Sequence, residues 1–197
     1  MIRSLSLHTP HGPLHGQLDL PDNPRGLILL ARAHHAPVDT YITASLAARQ
    51  HAVFSMELLS AQEAQFADAT QNVPRLTERL LDILDLIRHD GDMENLPLAI
   101  FATGDATPAA IRAAAQRDTQ VKVLACHGGQ ADRAGLQALK LLNAPLMMLL
   151  DHGDEAAIIA WQRAVIHHPG IHESHRLQDG ENPVSHIAAW LALYLSG

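Results

Sequence analysis

The sequence predicts an α/β protein in which helices cover both faces of a mostly parallel sheet. Continuous apolar runs, such as residues 26–32, have the length and composition of strands buried on both faces. Segments with helical periodicity separate these runs along most of the chain. Such a strand–helix–strand series closes into one parallel sheet through right-handed crossovers. The length of 197 residues suits one domain, 1–197.

The first two strands are expected to be antiparallel. Residues 3–9 and 14–20 alternate polar and apolar side chains around the turn sequence PHGP, which predicts an N-terminal hairpin. Further strands are predicted from apolar runs at 26–32, 51–59, 96–103, 121–127 and 144–151, and a last strand is predicted at 172–178, before the terminal helix.

Helices are predicted at 38–50, 73–90, 107–117, 133–142, 155–168 and 182–195. The clearest is 73–90, which places five aliphatic side chains on one stripe, namely Leu76, Leu80, Ile83, Leu84 and Ile87. Asn182 can cap the last helix, with Pro183 in its first turn. Trp161 and Trp190 are expected to anchor the last two helices against the sheet.

Composition excludes several classes of function. The net charge of -7 argues against a nucleic-acid partner, since phosphate binding needs a clustered basic surface. No apolar run reaches the length of a membrane span, and the first residues lack the apolar core of a secretion signal. The single cysteine, Cys126, cannot form an internal disulfide. We therefore expect a cytoplasmic protein without a membrane association or a cofactor.

Three segments of the chain share one pattern. They are LPLAIFATGDA (96–106), VKVLACHGGQADRAG (121–135) and APLMMLLDHGDEAAI (144–158). Each is an apolar strand followed by a loop, and together they resemble the α/β-hydrolases, specifically the small dienelactone-hydrolase-like proteins. The resemblance runs from about Leu14 to the C-terminus. It implies the α/β-hydrolase fold without a lid domain.

The resemblance implies where a nucleophile would stand. The family's G-x-S-x-G turn matches residues 102–106 and puts Gly104 in the nucleophile position, whereas a shifted register puts Ala106 there. Neither residue has a hydroxyl or thiol. The turn strains any residue with a Cβ, and glycine adopts it freely. The neighbouring Asp105 is expected at the N-terminus of the next helix, where the helix dipole favours a carboxylate.

Other family positions are altered. The usual His-Gly of the oxyanion loop is matched by Arg32 and Ala33, followed by His34 and His35, which are expected to line a pocket with Asp105 and His127. Arg32 is equally suited to hold an anion or to form a salt bridge.

The remaining triad positions leave alternatives open. Asp154 best matches the acid, with Asp151 as second choice, and Asp154 is equally suited to cap a helix. The loop QDGENP, where the family has its histidine, contains none, so Asn182 or Glu181 takes that place. His186 would serve if the last helix starts late and His175 if the last strand ends early. Otherwise the base is lost.

Two groups of histidines stand out in a chain that contains 14. They comprise His8, His11 and His15 near the N-terminus and, later, His167, His168, His172 and His175. Without cysteine partners these spacings resemble weak or adventitious zinc or copper sites, so we predict surface histidines and no metal site.

The vacant nucleophile position predicts a hydrolase-like protein that has lost covalent catalysis. We expect its pocket to bind a small molecule or a protein partner, including a second copy of the chain. The alternative is an active ester or lactone hydrolase in which Asp154 and a histidine activate water.

Overall fold

The centre of the molecule is an eight-stranded sheet, and the computed structural model describes residues 1–34, 36 and 38–195. The strands are β1 Ile2–Thr9, β2 Gly12–Asp19, β3 Leu27–Arg32, β4 Ala52–Glu57, β5 Leu98–Thr103, β6 Val121–His127, β7 Leu146–Asp151 and β8 His172–Leu177. The strand order is β1-β2-β4-β3-β5-β6-β7-β8. β1 and β2 form the predicted hairpin, β2 is antiparallel to β4, and every later pairing is parallel. The predicted fold class is confirmed.

Helices cover both faces of the sheet, as predicted, and each face has its own apolar core. The helices are α1 Val38–Ala47, α2 Val73–Arg88, α3 Thr107–Gln116, α4 Leu136–Leu141, α5 Glu155–Val165 and α6 Pro183–Leu195. Buried side chains of α1 and α6 pack on one face, and those of α2, α3, α4 and α5 pack on the other. Because all six loops that follow the parallel strands leave the same sheet edge, this edge gathers the candidate site residues.

Several local predictions are confirmed. The five aliphatic side chains predicted as the stripe of α2 are all buried. Trp190 is buried on α6, and its Nε1 donates a hydrogen bond to the carbonyl oxygen of Leu124 at 3.2 Å. Asn182 caps α6, since its Oδ1 accepts a hydrogen bond from Val184 N at 3.0 Å. Trp161 is buried on α5 against the sheet.

Helix α4 is shorter than the predicted segment 133–142. Residues 131–134 form a separate 3₁₀ turn, and Gly135 follows with a φ of +88° that interrupts the helix. The segment between β4 and α2 also contains two short 3₁₀ turns, Glu63–Gln65 and Ala69–Gln71. Periodicity did not assign them because one turn is too short to show a repeat.

A buried carboxylate holds the segment between β4 and α2 in place. Glu63 accepts a hydrogen bond from Ser60 N at 2.9 Å and pairs with Arg79 Nη2 at 3.0 Å. Burial alone would raise the pKa of Glu63, but the hydrogen bonds from Ser60 and the pairing with Arg79 outweigh it and lower that pKa. The carboxylate therefore stays charged inside the protein.

None of the helices in the described residues is both long enough and apolar enough to cross a bilayer.

Candidate functional site

The turn between β5 and α3 lies at the carboxyl edge of the sheet. Every residue of β5 is buried, and the chain reverses at Gly104, whose φ is +54°, before α3 begins at Thr107. This left-handed conformation favours glycine. A Cβ built on Gly104 would have no other heavy atom within 4 Å, so the space above the turn is open.

A Gly-Gly loop, Gly128–Gly129, follows β6 and packs directly against this turn. A Cβ on Gly129 would overlap the carbonyl group of Gly104, 2.8 Å from its carbon. Thr107 Oγ1 donates a hydrogen bond to the carbonyl oxygen of Gly128 at 2.9 Å. Beneath the loop, burial raises the pKa of the Cys126 thiol to about 12, so this thiol stays protonated and is a poor nucleophile. The turn and the loop thus form one rigid unit.

A shallow cavity of about 260 Å³, here called the elbow depression, opens over this unit. Its two carboxylates are engaged: Asp105 Oδ1 accepts a hydrogen bond from Gln71 Nε2 at 3.1 Å, and Asp154 Oδ1 accepts one from Ala157 N at 3.1 Å. Asp154 therefore caps α5, the structural role that the sequence left open. The depression is lined by Gln71, Gly104, Asp105, Gly129, Gln130, Asp154, Ala156 and Ala157.

The last residue of β3 and the residues that follow it differ in exposure. Arg32 Nε forms an ion pair with Asp39 Oδ1 at 2.5 Å, and Asp39 is buried on α1. Of the two roles that the sequence left open for Arg32, the structure thus gives it the salt bridge. Ala33 is buried and His34 is exposed, whereas His35 lies outside the described residues. None of the three described residues lines the elbow depression.

An imidazole–carboxylate pair lies on the next two strands. His127 ends β6, Asp151 ends β7, and His127 Nε2 lies 2.8 Å from Asp151 Oδ1. The side chains are 23% and 57% exposed, respectively, so solvent reaches both. A carboxylate bonded to one ring nitrogen sets the tautomer and orientation of the imidazole. Asp151, the second choice for the acid, is therefore the one that contacts a histidine here.

Both candidate triad histidines contact a third residue, Glu181. His175 Nε2 lies 3.0 Å from Glu181 Oε1, and His186 Nε2 lies 2.6 Å from the same oxygen. The second oxygen, Oε2, accepts a hydrogen bond from Gln178 N at 2.8 Å. This backbone bond, followed by the two imidazole contacts, lowers the pKa of Glu181 to about 2. Asp154 caps α5, and within the described residues both histidines are hydrogen-bonded to Glu181 instead.

The histidine groups noted in the sequence do not form units of their own. Within the part of the chain that the structure describes, neither group brings three ligand atoms together. His168 is buried, and burial lowers its pKa; its ring lies 5.6 Å from that of His172. His175 belongs instead with Glu181 and His186.

Sequence reasoning missed two of these contacts. His127 and Asp151 are the last residues of two neighbouring parallel strands. The positions of the two strand ends could therefore have predicted their contact. The sequence offered Glu181 for the position of the family's histidine, not as a residue that contacts two histidines. Its role as the meeting point of two histidines depends on how α6 returns onto β8, which no local pattern encodes.

Comparisons with known proteins agree with this architecture. Dienelactone hydrolase from Anabaena variabilis ATCC 29413 superposes with a TM-score of 0.88 over 98% of both chains at 22% identity. A cold-adapted esterase from an Arctic intertidal metagenomic library gives 0.72 over 98% of this chain and 93% of that one, at 13% identity. Est1E from Butyrivibrio proteoclasticus gives 0.73 over 94% of both chains, at 9% identity.

No family model matches the chain. Proteins from two strains of Mycobacterium tuberculosis, whose provisional name is phosphoribosyl transferase, are 26% identical over 162 residues. The match covers 80% of this chain but only 36% of those relatives, so the chain spans about a third of their length. The sheet order and the structural likenesses together establish that this chain has the α/β-hydrolase fold.

Proposed function

We propose that this protein is an α/β-hydrolase-fold protein without serine-type covalent catalysis and that the elbow depression binds a small molecule. The single observation that carries the proposal is Gly104, at the turn where hydrolases of this fold hold their nucleophile. Apart from its chain neighbours, no heavy atom lies within 4 Å of a Cβ built on Gly104, so the surrounding elements leave room for a side chain at this turn.

Nearby hydroxyls are poorly suited to replace that nucleophile. Covalent acyl transfer needs an oxygen or sulfur nucleophile next to a base. The described residues that line the elbow depression are glycines, alanines, carboxylates and amides. Thr107 donates its hydroxyl hydrogen to Gly128 O, and Thr103 is buried within β5. Loss of an activated nucleophile lowers turnover by about a million-fold.

The lining favours a small polar ligand. The volume of about 260 Å³ lies just below the range of about 300–1,000 Å³ that suits drug-sized molecules. Two carboxylates, Asp105 and Asp154, disfavour anions, and their free lone pairs can accept hydrogen bonds from hydroxyl or ammonium groups. We therefore expect a polyol or a small amine rather than a carboxylate or phosphate.

Hydrolysis of p-nitrophenyl acetate tests the loss of catalysis. We expect p-nitrophenyl acetate to be hydrolysed at the same rate with the wild-type protein and with Asp154→Asn. This substitution removes the charge of residue 154 but keeps a residue that caps α5. Asp154→Ala also removes the cap and costs about 0.5–2 kcal/mol, so its folding is checked by thermal melts. Turnover abolished in both folded variants would overturn the proposal.

Ligand binding is tested by thermal-shift screening with small polyols and amines. Ala156 is exposed on α5 and lines the depression, so Ala156→Trp fills it and should abolish any stabilisation by a bound ligand. Ile159 is also exposed on α5 but lies outside the lining, so Ile159→Trp is the matched control. If the ligand stabilised Ala156→Trp as much as it stabilised Ile159→Trp, the ligand would bind outside the elbow depression.

Reintroduction of the serine measures how much catalytic machinery remains. Because His175 and His186 are engaged by Glu181, we expect Gly104→Ser to give no burst of p-nitrophenol. A stoichiometric burst would mean that an imidazole reaches the serine and that only the nucleophile is missing.

A second candidate function is a hydrolase that activates water through His127. The observation that favours it is the 2.8 Å contact between His127 Nε2 and Asp151 Oδ1, because a carboxylate-oriented imidazole can act as a general base. In that case His127→Gln and Asp151→Asn would each lower the turnover of p-nitrophenyl acetate.

A protein partner is the remaining candidate, and the M. tuberculosis relatives suggest its class. Their provisional name refers to proteins about three times as long as the matched segment. A phosphoribosyl transferase domain is therefore the partner that we would test, using the unmatched part of such a relative. Absence of a complex at micromolar concentrations in size-exclusion chromatography would dismiss it.

A further inference from the structure

We propose that His175, Glu181 and His186 form a binding site for a divalent transition-metal ion such as Zn²⁺. The three side chains come from β8, from the loop after it and from the first turns of α6. The proposal is independent of the function proposed for the elbow depression, since none of these residues lines it.

The ligand atoms already converge. Both histidine Nε2 atoms lie within 3.0 Å of Glu181 Oε1, and the three ligand atoms all lie within 4.8 Å of one another. Zinc binds imidazole nitrogen and carboxylate oxygen at about 2.0–2.2 Å, so tetrahedral ligands lie about 3.3 Å apart. The two nitrogen–oxygen distances would need to open by only about 0.3–0.7 Å.

The site is held in shape by groups that a metal would not displace. Glu181 Oε2 is bonded to Gln178 N at 2.8 Å, which fixes the plane of the carboxylate. The rings of His175 and His186 stack with centroids 4.1 Å apart and planes 27° apart, and both Nε2 atoms contact the same oxygen of Glu181. Hydrogen bonds to the atoms of a side chain that do not bind the metal orient that side chain and raise its affinity for the metal.

The donor set selects the class of ion. Two imidazole nitrogens and one carboxylate suit zinc, cobalt, nickel or iron(II), whereas magnesium and calcium prefer oxygen ligands alone. To bind the ion, each imidazole must carry its proton on Nδ1 and present the Nε2 lone pair. A single carboxylate then balances half of the ion's charge.

Solvent reaches the three ligands. Their side chains are 41%, 26% and 29% exposed for His175, Glu181 and His186, respectively. An ion can therefore enter without rearrangement of the core, and three protein ligands leave a fourth tetrahedral position for water or a small ligand. Because the ligands come from β8 and α6, a bound ion would also tie the edge strand to the last helix.

Isothermal titration of the chelator-treated full chain with Zn²⁺ tests the proposal. We expect one equivalent to bind in wild type, and His175→Gln, His186→Gln and Glu181→Gln to weaken binding by at least about tenfold each. His172→Gln is the matched control, because His172 lies on the same strand and is exposed but outside the cluster. A second control, His8→Gln/His11→Gln, removes two of the three histidines of the N-terminal hairpin.

A second measurement needs no variant. In wild type, Zn²⁺ should shift the imidazole NMR signals of His175 and His186 and leave those of His8 and His15 in place. Failure to bind Zn²⁺, binding unchanged in the three cluster variants, or binding lost in the hairpin control would each overturn the proposal. Circular dichroism of every variant verifies that weaker binding does not come from unfolding.

Discussion

Alanine at Gly104 and at Gly129 should have very different effects, although both glycines have positive φ angles. At Gly104, with φ of +54°, an added methyl group meets no atom within 4 Å. The cost is therefore the left-handed backbone alone, about 1–2 kcal/mol. At Gly129, with φ of +83°, the methyl group also overlaps the carbonyl of Gly104. Backbone atoms cannot rotate away, so overpacking adds about 1–3 kcal/mol.

Thermal and urea unfolding measure the difference. For a chain of this length, each 1 kcal/mol lowers Tm by about 2–4 °C. We expect Gly104→Ala to lower Tm by about 2–8 °C and Gly129→Ala to lower it roughly twice as far. Gly153→Ala is the strain control, because Gly153 has a φ of +88° and open space around its Cβ.

Two results would refute this reasoning. Equal losses in Gly129→Ala and Gly153→Ala would mean that the Gly-Gly loop does not pack against the β5–α3 turn. A stabilising Gly104→Ala would mean that residue 104 is not left-handed, and the assignment of this turn as the nucleophile turn would fall with it.

Three further predictions concern the core. Glu63→Gln should destabilise the fold at pH 7 by about 3 kcal/mol in urea unfolding, because it leaves Arg79 buried without its charge partner. The pKa of Glu63 is lower in the folded protein than in the unfolded chain, where it is about 4.3. Its contribution to the free energy of unfolding is therefore present above the unfolded pKa and is lost as the pH falls through the folded pKa. Glu63→Gln should lack this pH-dependent loss of stability. Cys126 should react with a thiol reagent only as fast as the protein opens, since it is buried and protonated; immediate labelling would contradict its burial. Leu80→Ala should cost about 2–5 kcal/mol, whereas Leu141→Ala, at an exposed position, should change stability by less than about 0.5 kcal/mol.

The alternation of apolar runs and amphipathic segments was sufficient to predict the class of fold. Strand β5 shows why: its side chains are buried on both faces, so every position is small or apolar, and the run is visible without an alignment. Helix α2 is equally easy to predict from the sequence, because one of its faces must be apolar over four turns. The same dependence on periodicity explains why the shortest elements were not predicted. The 3₁₀ turns after β4 and the break before α4 are too brief to show a period.

The sequence by itself determined the strands and the longer helices. It also determined the position of the β5–α3 turn and the residue, Gly104, that occupies it. These are local properties, set by side-chain periodicity and by the conformations that a backbone permits. Only the tertiary structure decided which carboxylate each histidine meets: Asp151 for His127, and Glu181 for His175 and His186. Those contacts join residues on separate elements, so they depend on strand order and on how a helix returns to the sheet, which spacing along the chain does not encode.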